Sequence, residues 1–120
     1  MKVALTSQGE SLDSILDTRF GRAAKFLLWD SETDLLTVVD NKQNLNAPQG
    51  AGIQAAMTVV EQGADAVITG HCGPKAFRVL QEAEVKMFLT KAVSGHEALQ
   101  LFKEGKLETA ANADVEGHWL

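Results

Sequence analysis

Gly70-His71-Cys72-Gly73-Pro74-Lys75 brings an imidazole, the chain's only thiol and an ammonium together, between an apolar β-branched run and a helical pattern. A glycine-rich turn in that place delivers these groups to a helix N-terminus. There, unpaired N–H groups and the positive end of the helix dipole favour an anion or a thiolate. Pro74 suits the first helical position, which needs no N–H donor. The chemistry this predicts is a small site for an anion or a metal complex. It is not a Walker loop, because Gly70-x-x-Gly73-x-Lys75 lacks the Gly-Lys-Ser/Thr ending, and it does not match a dinucleotide fingerprint.

Cys72 has two readings, as a soft ligand of the kind copper(I) and iron–sulfur centres favour or as a small buried apolar residue. His71 is either a metal ligand or sulfide-directed donor, or a solvated loop residue. His96 and His118 form no recognisable ligand spacing with Cys72, so a closed zinc site is not expected. Cys72 as nucleophile with His71 as base ranks last, because sequence neighbours rarely face each other as a catalytic pair. Asp13, Asp17, Asp30, Asp34 and Asp40 fall mainly in loops and turns. Two-metal hydrolysis needs carboxylates converging on ions about 4 Å apart, and nothing in the spacing shows that convergence.

The elements that must position these groups are legible in outline. Lys2–Thr6 reads as a strand, and the polar stretch from Ser7 to Thr18 as a long loop. Ala23–Trp29 and Leu35–Val39 read as an antiparallel pair around the turn Ser31-Glu32-Thr33-Asp34. Asn41 to Gly52 is an irregular connection running into a helix over about 49–62, with Ile53, Ala56, Met57 and Val60 at helical spacing. Gly63 is placed to end that helix in a left-handed conformation.

Ala66–Ile68, the glycine turn, a helix carrying Ala76, Phe77 and Leu80, and Val85–Leu89 then form a βαβ pattern. Ser94 with Glu97 makes a capping box for a helix over about 94–104, and Gly105 stops it. Met57, Met87, Phe77 and Phe88 sit in apolar periodic patterns and are expected in the core. The tail 106–120 has no persuasive period, so a domain over 1–105 with a partly ordered tail is expected. The sum is an α/β fold with a five-stranded mixed sheet, an N-terminal antiparallel hairpin and flanking helices.

Composition sets the bounds. A chain of 120 residues with 45% apolar content supports one compact core without disulfides. The N-terminal residues lack the order of a secretory signal and no apolar run approaches bilayer length, so a cytoplasmic protein with no membrane contact is expected. A net charge of -5 argues against extended nucleic-acid binding.

Phe20-Gly21-Arg22-Ala23 before the second strand, Gly50-Ala51-Gly52 opening the first helix, and Gly70 through Ala76 resemble, in that order, motifs of the dinitrogenase iron-molybdenum cofactor biosynthesis family. Within it, the chain is most similar to the small stand-alone orange proteins. The resemblance covers about residues 1–105. It implies a ribonuclease H-like fold and a cytoplasmic carrier that binds an anionic metal–sulfur cluster without catalysis. The cluster is a molybdenum–copper sulfide in one branch and an iron–molybdenum or iron–sulfur cofactor precursor in the other, with protein partners for its transfer.

A thiometallate cluster is a large soft anion and needs cations, N–H donors and apolar walls. Arg22 offers a planar fork, whereas Lys25 and Lys75 offer point charges or merely sit on a solvated face. Gly50, Gly52, Gly70 and Gly73 allow close backbone approach, or only permit a turn. The expected binding residues are therefore Arg22, Lys25, Gly50, Gly52, Gly70, His71, Cys72, Gly73 and Lys75, with Cys72 and His71 as candidate metal ligands. The alternative is a phosphate- or nucleotide-binding regulator that uses the Gly70–Lys75 helix start.

Overall fold

The computed structural model describes residues 1–41 and 51–110, and in its inner strands apolar residues run consecutively, so that successive side chains feed two opposite faces. In β1 (Lys2–Ser7), Val3 and Leu5 enter one cluster and Ala4 the other. In β2 (Lys25–Asp30), Leu27 and Trp29 join the first, Phe26 and Leu28 the second. A sheet apolar on both faces must be covered on both. Helices α1 (Ala51–Glu61) and α2 (Pro74–Glu82) cover one face, with Ala55, Ala56, Val59, Ala76 and Leu80 buried. Helix α3 (Gly95–Lys103) covers the other through Ala98 and Leu99.

With β3 (Leu36–Asp40), β4 (Ala66–Thr69), β5 (Lys86–Leu89) and β6 (Glu108–Thr109), the sheet order is β3-β2-β1-β4-β5-β6. β1–β2–β3 is an antiparallel meander, β4 and β5 run parallel to β1, and β6 returns antiparallel to β5. The expected five strands are therefore six. β6 lies in the stretch read as a tail, and its two residues are too few to show a period of two. Ala110 N–H continues the pairing to the Met87 carbonyl at 2.9 Å.

Gly63 and Gly105 end α1 and α3 with φ of 78° and 70°, as their placement predicts. The side-chain hydroxyl of Ser94 caps α3 by accepting from Glu97 N–H at 3.1 Å. Residues 49 and 50 of the expected first helix lie outside the described residues. Met57 departs from its expected burial. It is 50% exposed, because α1 turns Ala56 and Val59 to the sheet and leaves the next position outward. Met87 is buried, and Phe77 and Phe88 pack partly buried against the two clusters.

The loop from Ser7 to Thr18 is laced to the body. Leu16 bridges Ser7, Ile15 bridges Ser94, and both Leu16 and Asp17 are buried. Among the described residues, no helix is long and apolar enough to cross a membrane.

Candidate functional site

The C-terminal ends of β1, β3 and β4 lie along one edge of the sheet, as the pairings Ser7↔Lys25, Lys25↔Asp40 and Leu5↔Ile68 require. Ligands of open α/β sheets gather at such an edge. After β4 the chain enters the Gly70 turn and starts α2. A short 3-10 turn, Phe20–Arg22, precedes β2 at the same edge and packs against α1.

These segments enclose a cleft of about 270 Å³ lined by Phe20, Gly21, Gly52, Ile53, Gly73, Pro74, Lys75 and Ala76. The first turns of α1 and α2 both open onto it. Neither carries an acidic residue, and Gly73 begins α2 with no side-chain cap. The N–H groups of Lys75 and Ala76 have no intrahelical partner by helix geometry, so two positive dipole ends and a lysine meet at an apolar-walled space. A Cβ on Gly52 would stand 3.3 Å from the Ala76 Cβ, which shows how closely the helix starts approach.

A larger groove of about 630 Å³ lies on the α3 face, against Trp29, Asp34, His96, Glu97 and Lys103. Its helix start is already satisfied by Ser94 and carries Glu97, so it offers an anion neither unpaired donors nor positive potential. Trp29 there donates to Asp34 at 2.7 Å, and the Lys103 ammonium stands 4.7 Å over the indole.

Of the residues expected from sequence, Gly52, Gly73 and Lys75 line the cleft. Gly70, His71 and Cys72 form the turn that leads into it. Gly70 is a site of close approach, since a Cβ would lie 2.5 Å from the Thr18 Cβ. His71 is exposed. Cys72 is only 2% exposed, shares the apolar cluster with Phe20 and Ala76, and its thiol donates to the Gly73 carbonyl at 3.5 Å. Arg22 closes the 3-10 turn, its N–H bonded to the Arg19 carbonyl at 3.2 Å, one residue beyond the lining. Lys25 is elsewhere, with its ammonium 3.6 Å from Glu10 and 3.5 Å from Asp40. Gly50 lies outside the described residues. Among those described, no group of three or more His, Cys, Asp or Glu converges as a metal site.

Sequence reasoning weighed Asp17 only as a hydrolytic carboxylate and passed over Arg19. The Arg19 guanidinium grips Asp17 through Nε–Oδ1 and Nη2–Oδ2 contacts, both 3.2 Å, and Arg19 N–H donates to Oδ1 at 2.9 Å. The hydrogen bond and then the charge of Asp17 raise the arginine's pKa further above its ordinary range. A charge pair two residues apart just before Phe20-Gly21-Arg22 was the available signal, hidden in a stretch that reads as plain polar loop.

The sequence matches the family described as dinitrogenase iron-molybdenum cofactor over residues 1–105. The chain belongs to that family. Among solved structures it is similar to the apo form of the orange protein from Desulfovibrio gigas, at 38% identity and a TM-score of 0.91, covering 94% of this chain and 95% of that one. It is also similar to a putative NifB protein from Thermotoga, at 32% identity and a TM-score of 0.85, covering 97% and 98%. An uncharacterized protein from Methanocaldococcus jannaschii is 30% identical over 111 residues, 90% of each chain. The family's matched span contains all three segments of the cleft.

Proposed function

We propose that the protein binds and carries, or stores, a preformed anionic metal–sulfur cluster in the cleft between the 3-10 turn and the starts of α1 and α2, and that it performs no catalysis on it. One observation carries this reading. In a member of the iron-molybdenum cofactor family, two helix N-termini free of acidic residues and Lys75 converge on one apolar-walled cleft. The fold is read as ribonuclease H-like, with three antiparallel strands followed by parallel β4 and β5.

Magnitudes say how such a site works. A partly buried helix end stabilises an anion by up to about 2 kcal/mol. A hydrogen bond to a charged group contributes about 1.5–3 kcal/mol. Two helix ends and one lysine fall just short of the roughly 8 kcal/mol of a micromolar complex, so contact with Phe20, Ile53 and Pro74 is part of the binding. Enclosure by donors and apolar walls, with Cys72 beneath the surface, suits a cluster that arrives assembled.

The cargo we propose, from the motif resemblance to the orange proteins, is a molybdenum–copper sulfide cluster. The test is titration of the metal-free protein with copper and tetrathiomolybdate, read by visible absorption and by metal content after desalting. Stoichiometric metal with a defined charge-transfer spectrum is the expected result. If no metal is retained, and none from an iron–sulfur precursor either, the carrier reading fails and a phosphate ligand at the same helix starts becomes the one to test.

A further inference from the structure

We propose that Arg19, clamped by the buried carboxylate of Asp17 next to the cleft lining, is a fixed cationic fork at the rim of the cleft, donating its remaining N–H groups to the sulfide surface of an anionic cluster. The inference rests on the carrier reading above and names the residue that gives its site orientation.

A surface arginine is ordinarily a mobile side chain, and an ion pair at the surface contributes little energy. Arg19 differs in what holds it. Its side chain is 66% exposed, but that of Asp17 is only 4% exposed. The carboxylate fixes both the Arg19 backbone, at 2.9 Å, and one edge of the guanidinium through two contacts of 3.2 Å. Asp17 is tied inward in turn. Its carbonyl accepts from Thr6 Oγ1 at 2.6 Å, and that hydroxyl also meets Thr69 Oγ1 at 2.9 Å. Thr6 and Thr69 are fully buried near the ends of β1 and β4. The fork is thus anchored through its carboxylate to the sheet itself.

The position is also specific. Arg19 immediately precedes Phe20 and Gly21 of the cleft lining. It pairs in a parallel bridge with His71, which stands two residues before Gly73 of the lining. The flanking bonds, His71 N–H to the Thr18 carbonyl at 2.7 Å and Phe20 N–H to the His71 carbonyl at 3.1 Å, join the chain segments that form two of the cleft's walls. Of the cations expected at this edge, Lys25 is committed elsewhere, between Glu10 and Asp40. A planar fork held at one edge presents its other N–H groups in a fixed direction, which suits several sulfide acceptors at once. An ammonium cannot reproduce this.

The decisive variant is Arg19→Lys, which keeps a cation against Asp17 and so avoids stranding a buried carboxylate. Arg19→Ala is read beside it, with thermal unfolding of both as a check on folding. Each variant and the wild type are loaded with copper and tetrathiomolybdate and desalted. The expected result is wild-type retention, a loss of about tenfold or more in affinity for R19K, and at least that for R19A. If wild-type protein retains the metal and folded R19K retains it equally, the inference is overturned while the carrier reading stands. If wild-type protein retains neither this metal nor, loaded in the same way, an iron–sulfur precursor, the carrier reading falls and takes the inference with it.

Discussion

Gly70 and Thr18 are pressed together where the α2 turn meets the loop before β2. A Cβ on Gly70 would lie 2.5 Å from the Thr18 Cβ and 2.8 Å from its Cα, and backbone cannot yield as a side-chain tip can. Gly70→Ala is therefore expected to push the Arg19–His71 bridge apart and destabilise the fold by about 1–3 kcal/mol. Gly73→Ala, with a φ of -73° and nothing within 4 Å of its Cβ, is expected to cost about 1 kcal/mol or less. Urea unfolding of the two variants checks the pair. Equal losses would contradict the account.

Lys75 and Lys25 look interchangeable in the sequence and are not so in the structure. Lys75→Ala is expected to weaken cluster retention about tenfold by removing a charged donor from the cleft lining. Lys25→Ala should leave retention unchanged, because its ammonium is held between two carboxylates. Metal content after desalting, measured at matched protein concentration, separates the two.

Cys72 is expected to enclose the cargo without ligating it, since its sulfur is buried and bonded to the Gly73 carbonyl. Cys72→Ala should keep both the metal and the charge-transfer bands. A displaced or missing band in a folded C72A protein would show sulfur coordination instead.

Ser94→Ala should lower stability by about 1 kcal/mol through loss of the α3 cap. Retention should not change, because α3 lies on the other face of the sheet from the cleft. A parallel fall in cluster affinity would mean that the two faces are coupled.

The strands and helices were readable where period and punctuation agree, as at Gly63, Pro74, Ser94 and Gly105. β6 was not, because two residues carry no alternation and its pairing with β5 is a property of tertiary structure. The turn at Gly70 and the placement of Gly52, Gly73 and Lys75 at two helix starts were readable, and the structure brings those three onto one cleft. Lys25 was expected among the binding residues beside Lys75, because which ammonium faces a cleft and which faces Glu10 and Asp40 depends on strand register. Asp17 and Arg19 were hidden for a related reason. Nothing in a polar loop says that one carboxylate will be buried at the edge of a sheet.

The cleft is assembled from stretches around residues 20, 52 and 73 that are distant in the chain and adjacent only after β4 has docked on β1. On the carrier reading, a fragment lacking any one of these stretches would lose the site, so loading would select for molecules in which all three are folded together. By mass action, a ligand at a hundred times its dissociation constant adds about 2.7 kcal/mol to the folded state, roughly a hundredfold fewer unfolded chains. Under a protease that attacks unfolded chains, full carriers should outlive empty ones, and the turnover of the protein would itself report how much cluster is available.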